Sequence, residues 1–522
     1  MAARHRAFVP CIEATLIWQT KERIGANASG SRARVQSTSP RHVVVLGGGL
    51  GGIAAATILA EKGVKVTLVE RETHLGGRVG AWTDRLSSGE AFQMERGFHA
   101  FFRQYYNLRA LMRRVDPTLS SLVPLHDYPL LGPNGVRESF SGLPKQAPFN
   151  IAALVRRTNT LSLSDLPKIR VDRAMEMLRF DMDRSYARYD SMTAREFLDS
   201  LNFPREARRM LFDVFAHSFF NPEEGMSAGE LLMMFHFYFT GNPEGLIFDV
   251  LKEPFSTALF LPMQKYLENL GVDLILGDAA TRVTRAGAFF DVSTSQGAVL
   301  QHANGVVLAL PVEALKQLVF ESETLSEPTF RRAVDSLDVT WPFAVWRLWL
   351  DRPTNAGREP FVGTAGLGIL DNISLYHLFE GESRVWAERT GGSIVELHAY
   401  AVAEDRDEES IKSEFLRTLH EVYPETRAAK ILEQRFLLRR DCPAFAPGSY
   451  ATRPTVETAI PGLYLAGDFV KLPVPSALME RATTSGMMAA NAFLSREDVR
   501  GEDLYSVPRR GTISLRFWES RR

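Results

Sequence analysis

The chain has 522 residues, 45% of them hydrophobic and 24% charged, which is typical of a soluble globular protein too long for one ordinary core. The formal net charge of −1 excludes a general electrostatic attraction to nucleic acid, so we expect no nucleic-acid partner. The two cysteines, Cys11 and Cys442, provide neither a disulfide framework nor a metal-ligand spacing, so we expect no metal and a reducing compartment.

The first forty residues differ in composition from the rest of the chain. They contain six Arg and Lys residues against two Glu, with several serines before Pro40. A basic, serine-rich and acid-poor start is typical of an organelle transit peptide, but a disordered tail or a start assigned too far upstream has the same composition. We expect residues 1–40 to lie outside the fold. We expect a cytoplasmic protein, or a plastid protein if this segment is a transit peptide.

The most informative stretch of the sequence is a glycine-rich turn between two apolar strands. Gly47, Gly49 and Gly52 fit the spacing G-x-G-x-x-G. In such a turn Gly47 permits the tight bend, Gly49 lets a pyrophosphate reach the backbone, and Gly52 lets the following helix pack closely on the sheet. Glu70 ends the second strand, where a carboxylate accepts hydrogen bonds from ribose hydroxyls. The pattern predicts a dinucleotide-binding βαβ unit.

The next part of the chain mixes sheet and helix. We predict a β-hairpin over 82–92, sheet and loops over 117–149, and mostly helix over 150–260. The apolar stripe 231–239 is rich in Met and aromatic residues, and we expect it to pack in the core and to line a tunnel in part.

The chain then returns to alternating helices and strands. We predict helices over 262–271 and 312–318, and strands over 272–276, 280–284, 305–311, 345–350, 393–397 and 462–468. This alternation implies a mainly parallel sheet interrupted by inserted segments. The predicted fold class is therefore α/β with α+β insertions.

Two further motifs favour a flavin over a nicotinamide cofactor. Gly76, Gly77 and Arg78 follow the strand that ends in Glu70, and a Gly-Asp pair at 467–468 ends a strand far along the chain. The glycine pair allows a backbone approach to the cofactor, and Arg78 can neutralise a phosphate or support the flavin. Asp468 can hold the ribityl chain or the pyrophosphate. FAD is long enough to need residues from both ends of the chain.

These motifs resemble the FAD-dependent amine oxidase and carotenoid desaturase superfamily, with matches spread over about 41–495. The segments 94–102 and 220–232 look like the flavin-side and helical signatures of its carotene desaturases. Three segments are similar to the members of the family that aromatise carotenoid rings: 95–109, 233–245 and 477–482.

The resemblance implies a Rossmann-like FAD-binding domain with an inserted substrate domain. It also implies an FAD-dependent carotenoid oxidoreductase that desaturates the β-ring of β-carotene, with migration of a methyl group, to give an aromatic ring. We divide the chain accordingly: FAD-binding segments 41–116, 261–320 and 451–495, substrate segments 117–260 (largely helical from 150) and 321–450, and a C-terminal tail 496–522.

The turn chemistry and the resemblance together assign the site residues. We expect the cofactor to be bound by Gly47, Gly49, Leu50, Gly51, Gly52, Glu70, Arg71, Gly77, Arg78, Gly97, Phe98, Val283, Gly467, Asp468 and Met479. For catalysis we consider Glu95 and His99 as proton-handling groups, and Arg481 as a group that steadies the flavin. The alternatives are a structural pairing of Glu95 with Arg96, simple packing of His99, and a structural ion pair for Arg481.

One contrast argues against an amine substrate. Amine oxidases of this superfamily usually place a tyrosine of an aromatic cage before a Met-Glu-Gly-Ala stretch near the C-terminus. This chain has Leu478 before Met479 and Glu480, and Arg481 in place of the glycine. A leucine cannot stack on an amine as an aromatic face can.

The resemblance also implies partners. A carotene resides in lipid, so we expect peripheral contact with a membrane. The basic and apolar segments 151–157 and 168–170 fit an interfacial helix, although a solvated helix face is the simpler interpretation. No second dinucleotide fingerprint is evident, so we expect a quinone or oxygen, not NADPH, as the redox partner. A linear-carotene desaturase or isomerase, an amine oxidase and a flavoprotein that only binds its ligand remain alternatives.

Overall fold

The structure is a computed structural model that describes residues 12–16, 18–24, 30–35, 41–161, 164–213 and 217–517. Its strands are, in chain order, β1 Ile12–Leu16, β2 Glu22–Ile24, β3 His42–Leu46, β4 Lys65–Glu70, β5 Ala81–Arg85, β6 Ala91–Glu95, β7 Phe101–Phe102, β8 Leu122–Leu125, β9 Leu130–Leu131, β10 Arg137–Glu138, β11 Phe248–Leu251, β12 Asp273–Leu276, β13 Ala280–Ala286, β14 Phe289–Thr294, β15 Val299–Ala303, β16 Gly305–Leu308, β17 Phe343–Leu350, β18 Phe361–Thr364, β19 Asn372–Leu375, β20 Ser393–Ala399, β21 Ile431–Arg439, β22 Leu463–Leu465, β23 Leu504–Ser506 and β24 Ile513–Phe517. Its α-helices are α1 Leu50–Glu61, α2 Tyr106–Met112, α3 Phe149–Arg157, α4 Val171–Leu178, α5 Met182–Tyr189, α6 Ala194–Ser200, α7 Arg205–Arg208, α8 Ala228–Phe235, α9 Leu261–Asn269, α10 Val312–Glu321, α11 Pro328–Asp335, α12 Gly381–Thr390, α13 Glu408–Val422 and α14 Leu478–Arg496.

A five-stranded parallel sheet forms the nucleotide-binding part of the fold. Its spatial order is β12-β4-β3-β16-β22, so strands far apart in the chain are neighbours. Residues 43–46 of the central strand have no exposed surface, as expected for a parallel strand covered on both faces. The predicted α/β class is confirmed.

Helices α1 and α14 cross this sheet in close contact, and two glycines make the contact possible. A Cβ at Gly486 of α14 would lie 2.0 Å from the carbonyl oxygen of Gly51 in α1. The backbones of the two helices therefore meet directly at this point. The contact fixes the first turn of α14, which contains Leu478 and Met479, beside the glycine turn.

The second large sheet has seven strands in the order β10-β9-β18-β19-β20-β17-β21 and is mainly antiparallel. Alternation along β20 points Glu396 and His398 to one face, while Val395 and Leu397 join a separate apolar core with Phe415 of α13 on the other face. The face that carries Glu396 and His398 is turned toward the parallel sheet.

The local predictions agree closely with these elements. The hairpin over 82–92 is β5 and β6, paired antiparallel from Ala81 opposite Glu95 to Arg85 opposite Ala91. The stripe 231–239 is buried throughout, and its last two residues, Tyr238 and Phe239, also line the main cavity. One strand, β11, interrupts the region that we expected to be mostly helical.

Both ends of the chain differ from the expectation that they lie outside the fold. Strand β2 pairs antiparallel with β23, and β1 with β24. The Lys21 ammonium lies 4.7 Å from the ring centroid of Tyr505, and this cation–π contact supports the pairing. Parts of the two expected tails lie outside the described part of the chain: 1–11, 17, 25–29, 36–40 and 518–522.

Within the described ranges, no helix combines the length and the apolar character that crossing a bilayer requires.

Candidate active site

A cavity of about 1540 Å³ has walls contributed by both large sheets. This volume exceeds the roughly 300–1,000 Å³ of a typical small-molecule pocket, so the cavity has room for a cofactor and a substrate together. Its lining falls into two groups. One group is glycine-rich and charged and comes from the nucleotide-binding part of the fold, and the other is aromatic and comes from the inserted segments.

The glycine turn after β3 is held by backbone contacts. The N–H of Gly47 donates to the carbonyl of Val69 at 2.8 Å, and Gly47 has a φ of +105°, which disfavours any side chain there. A Cβ at Gly52 would lie 1.8 Å from the carbonyl oxygen of Gly47, so the turn and α1 fit together only with glycine at both positions. Gly49 immediately precedes α1, so the free N–H groups of this helix lie at the cavity wall.

The carboxylate of Glu70 fixes the turn from the end of β4. Its Oε2 accepts a hydrogen bond from the N–H of Gly48 at 2.5 Å, and its Oε1 accepts one from the N–H of Glu72 at 2.8 Å. Glu70 is buried and lines the cavity. A carboxylate has about four lone-pair sites, so these two bonds leave capacity for ribose hydroxyls.

The glycine pair Gly76–Gly77 lies directly against the glycine turn. The N–H of Gly76 donates to the carbonyl of Gly48 at 2.8 Å, and both glycines have positive φ. The guanidinium of Arg78 pairs with the carboxylate of Asp468, which the sequence separates from it by almost the whole fold. Burial alone would lower the pKa of Arg78, but the charge and hydrogen bond of Asp468, with the nearby Cys442 and Asp441, together outweigh burial and raise this pKa, so Arg78 stays charged. The structure thus brings the two predicted flavin motifs together in one wall.

The aromatic group of lining residues is contiguous. The ring of Phe98 stacks on that of Phe361 with centroids 4.5 Å apart and meets Phe248 edge-on at 5.8 Å. Phe102 contacts Tyr238 at 4.8 Å, and the Tyr238 hydroxyl hydrogen-bonds to that of Tyr105 at 2.7 Å. These flat, soft surfaces form a wall suited to an extended apolar molecule.

The structure places most of the predicted site residues on this cavity. Its lining includes Gly47, Gly49, Leu50, Gly51, Glu70, Arg71, Gly77, Arg78, Phe98, His99, Gly467, Asp468 and Met479. Leu478 lines it as well, with a φ of +49° that leucine rarely adopts. Five predicted residues are not part of the lining: Gly52, Gly97, Val283, Glu95 and Arg481.

Glu95 is buried behind the cavity wall. Its Oε1 accepts a hydrogen bond from the N–H of Phe255 at 2.9 Å, and its Oε2 lies 3.5 Å from Nη2 of Arg347. Burial raises the pKa of Glu95 to about 8, against the lowering effect of Arg347. The expected pairing with Arg96 is absent, because Arg96 contacts Asp441 instead.

Arg481 is also buried and is not part of the cavity lining. Its guanidinium pairs with the carboxylate of Glu230, which Arg453 holds from the other side at 2.9 Å. Burial would raise the pKa of Glu230, but the charges of Arg453 and Arg481 outweigh it and lower this pKa to about 2. Of the two roles considered for Arg481, the structure favours the ion pair.

Two residues expected to touch the cofactor have structural roles instead. The N–H of Val283 already donates to the Ser322 hydroxyl at 2.9 Å, and its neighbour Arg282 lines the cavity in its place. Gly97, with a φ of +111°, makes room for another side chain, because a Cβ there would lie 2.6 Å from Cε1 of His398.

Sequence reasoning missed the polar groups of the aromatic end. His398, Tyr400 and Asp371 line the cavity, and Cys442 lies beside Arg78. The alternation of side chains along 393–399 indicated which face of the strand carries His398. It did not indicate that this face borders the cavity. His99 lies on the same wall, with its Nδ1 2.7 Å from the carbonyl of Gly97, and burial lowers the pKa of His99 to about 4.

Comparison with known proteins fits this geometry. A family model described as flavin containing amine oxidoreductase matches residues 50–494. The chain therefore belongs to the flavin-containing amine oxidoreductase family and is an oxidoreductase with a flavin cofactor, as the sequence predicts.

Its similarity to individual proteins is more specific. The chain is 48% identical over 489 residues to the carotenoid phi-ring synthase of Streptomyces griseus, covering 94% of each chain. It is 31% identical to the carotenoid phi-ring synthase of Chlorobaculum tepidum, covering 91% of this chain and 92% of that one. A triple mutant of putrescine oxidase shares the fold, with a TM-score of 0.64 and 14% identity over 88% of this chain and 99% of that chain.

The residues present fit a flavin nucleotide. A Cβ at Gly49 would meet only the Cα of Gly77, at 3.9 Å, so the backbone here is open to a phosphate group. Glu70 is fixed beside this opening, and Arg78 and Asp468 lie in the same wall. The cavity thus offers backbone N–H groups, a carboxylate and a charged pair in the arrangement that a dinucleotide requires.

Proposed function

We propose that the protein is an FAD-dependent carotenoid phi-ring synthase, which desaturates the β-ring of β-carotene with migration of one methyl group to give an aromatic ring. The observation that carries the proposal is the continuity of one cavity, in which the nucleotide-binding residues share a space with a wall of aromatic rings. The similarity to the two carotenoid phi-ring synthases supports it.

FAD, rather than a shorter flavin, agrees with the extent of the polar lining. Glu70 would accept hydrogen bonds from the ribose, and the turn at Gly47–Gly49 would hold the pyrophosphate. Arg282 and Gln317 lie on the cavity on the same side of the fold and are available to the adenine end.

The residues of the chain would hold the substrate and exclude water from it. A bound flavin supplies the hydride acceptor that no side chain provides. Phe98, Phe102 and Phe361 would hold the β-ring and polyene and exclude water, which would otherwise trap a ring cation. After hydride loss a methyl group shifts to the deficient carbon, and loss of a proton restores a double bond. Repetition of the oxidation gives the aromatic ring.

Product analysis tests this function. Cells that make β-carotene and express the wild-type chain should accumulate carotenoids with aromatic end groups, whereas cells expressing Gly49→Trp should not. A second experiment expresses the chain in cells that make only linear carotenes. Extended conjugation in an acyclic product, with no change in β-carotene, would contradict the proposal in favour of a linear-carotene desaturase. Peroxide release with amines would favour an amine oxidase, which Leu478 at the cavity argues against.

We also propose that the protein attaches to a membrane surface through the region around α3. Trp18 and Phe149 are 62% and 47% exposed and stack on each other with centroids 5.9 Å apart. Arg156 and Arg157 are exposed in the last turn of α3. The side-chain amide of Asn150 donates to the carbonyl of Phe239, a residue of the cavity wall, so this surface is next to the aromatic end. Exposed aromatic residues beside basic ones are typical of interfacial contact.

Flotation with vesicles that contain anionic lipid tests this attachment. Trp18→Ser combined with Phe149→Ser should reduce the bound fraction severalfold. Trp341→Ser combined with Phe320→Ser removes the same two residue types from exposed positions elsewhere and should not. Equal binding of both double variants would contradict the proposed surface.

A quinone or oxygen would take the electrons. Reoxidation of the reduced protein by a soluble quinone under anaerobic conditions, compared with reoxidation by oxygen alone, distinguishes the two.

A further inference from the structure

A buried charge network lies directly behind the aromatic end of the cavity. The register between β17 and β20 places Arg347 opposite Glu396 and Val345 opposite His398. Glu396 and His398 share the face of β20 that is turned toward the cavity, and His398 forms part of its lining. The side chains of Arg347, Glu396 and His398 are each at most 3% exposed.

Glu396 is held on three sides. Its Oε2 accepts a hydrogen bond from Nε of Arg347 at 2.7 Å, and its Oε1 accepts one from the N–H of Phe98 at 3.0 Å. Nε2 of His398 lies 2.7 Å from the same Oε1. A carboxylate that accepts these bonds is fixed in position and in its ionised form. Burial would raise the pKa of Glu396, but Arg347 and the hydrogen bond from His398 outweigh it and lower this pKa to about 2.

The carboxylate also defines the tautomer of the imidazole. Glu396 can only accept, and its Oε1 is closer to Nε2 of His398 (2.7 Å) than the N–H nitrogen of Phe98 is (3.4 Å), so Nε2 carries the proton and Nδ1 carries the lone pair. Gly97 keeps the ring in place, since any side chain at position 97 would collide with Cε1 of His398. The pair therefore has the form of a histidine base oriented by a buried carboxylate.

We propose that His398 is the catalytic base that removes the proton from the ring cation, and that Glu396 and Arg347 are its positioning residues. The inference rests on the proposed function for the identity of the substrate. In the step, Nδ1 of His398 takes a proton from the ring carbon next to the cationic centre. The electron pair of that C–H bond becomes the new ring double bond, the ring becomes neutral and the imidazole becomes a cation. Glu396 stabilises this imidazolium at 2.7 Å.

His99 is the competing base on the same wall, and its surroundings differ. Its Nδ1 contacts the carbonyl of Gly97, and no carboxylate of the described residues is within hydrogen-bond distance of its ring. Burial lowers the pKa of His99, so a proton on this ring is disfavoured. Other charged groups near the network include Glu95, Glu380, Glu382 and Asp371, and the Tyr376 ring lies 4.0 Å from the Arg347 guanidinium.

Turnover and flavin measurements on matched variants test the base. His398→Gln should slow ring-product formation about 100-fold or more, the usual scale for loss of a general base, while flavin content and the visible flavin spectrum stay as in the wild type. His126→Gln, at an exposed position, is the control for loss of a histidine. His99→Gln is the comparator. A large loss with His99→Gln and less than a threefold loss with His398→Gln would overturn the assignment.

A spectroscopic measurement tests the dyad without any substrate. Nitrogen NMR of protein labelled at its 11 histidines identifies the His398 signal as the one missing in His398→Gln. This signal should report a proton on Nε2 in the wild type, and the tautomer should no longer be fixed in Glu396→Gln. A proton on Nδ1 instead would overturn the dyad. If wild-type protein makes no ring product from β-carotene while the NMR result holds, the proposed function fails and the dyad stands.

Discussion

The guanidinium of Arg481 and the carboxylate of Glu230 form a buried ion pair behind the cavity lining. The two side chains are 4% and 0% exposed, and Arg453 approaches the same carboxylate from its other side. Arg481 also donates to the backbone carbonyls of Ser476 and Asp468, so the pair fixes the loop that carries Asp468 to the cavity.

Because this ion pair has a structural role, breaking it should mainly lower the stability of the fold. Arg481→Met leaves Glu230 with one cation, and we expect the free energy of unfolding to fall by about 3–5 kcal/mol, as for other broken buried pairs. Urea unfolding measures it. Arg170→Gln, in an exposed pair with Asp172, should leave the urea midpoint as it is in the wild type. A small effect of Arg481→Met would contradict a structural role and favour a role at the flavin.

Gly49 should be required for the cofactor and not for folding. Its φ of −76° suits any residue, and a Cβ there would meet only the Cα of Gly77 at 3.9 Å. The side chain of Gly49→Trp would therefore extend into the space needed by the phosphates. We expect a folded protein with an unchanged urea midpoint and less than about a tenth of the wild-type flavin absorbance. Gly225→Ala, on an exposed turn, should keep both properties, and a flavin-loaded Gly49→Trp would refute the assignment of the turn.

The sequence predicts the nucleotide end of the site better than the aromatic end, for a physical reason. Gly47, Gly52 and Glu70 act through neighbours within one βαβ unit, so their spacing carries the information. Glu95 and Arg481 are oriented by Arg347 and Glu230, about 250 residues away in each case, and a local pattern does not specify such partners. His398 could not be assigned either, because the alternation along β20 places it on one face with Glu396 but does not show that this face meets Arg347 and the cavity.

The contributions of three buried carboxylates to stability should depend on pH in opposite directions. Burial raises the pKa of Glu480 to about 8, although the N–H groups of Asn107 and Leu108 oppose it. The folded state therefore binds a proton between pH 4.5 and 8 that the unfolded state releases, so stability falls as pH rises through this window. Glu230 and Glu396 have pKa values lowered to about 2, so their contribution is lost as pH falls from 4.5 toward 2.

Urea midpoints measured from pH 4 to pH 8.5 test this profile. Glu480→Gln removes one titrating group. Between pH 5 and pH 8 its unfolding free energy should therefore decrease with pH less steeply than that of the wild type, by about 1.4 kcal/mol per pH unit. Glu408→Gln removes an exposed carboxylate and should leave the slope as it is in the wild type. A slope in Glu480→Gln equal to that of the wild type would show that burial does not raise the pKa of Glu480.

Gly486 should be among the least replaceable glycines of the fold, although no motif of the sequence includes it. A Cβ there would lie 2.0 Å from the carbonyl oxygen and 2.8 Å from the carbonyl carbon of Gly51, both backbone atoms that cannot rotate away. In Gly486→Ala, α14 must move off α1, and the first turn of α14, with Leu478 and Met479, must move at the cavity wall. We expect a loss of about 1–3 kcal/mol in unfolding free energy, as for overpacked cores, together with weaker flavin retention. Urea unfolding and flavin content after dialysis measure the two effects, with Gly225→Ala as the control. If Gly486→Ala matched that control in both measurements, the direct contact between the two helices would be wrong.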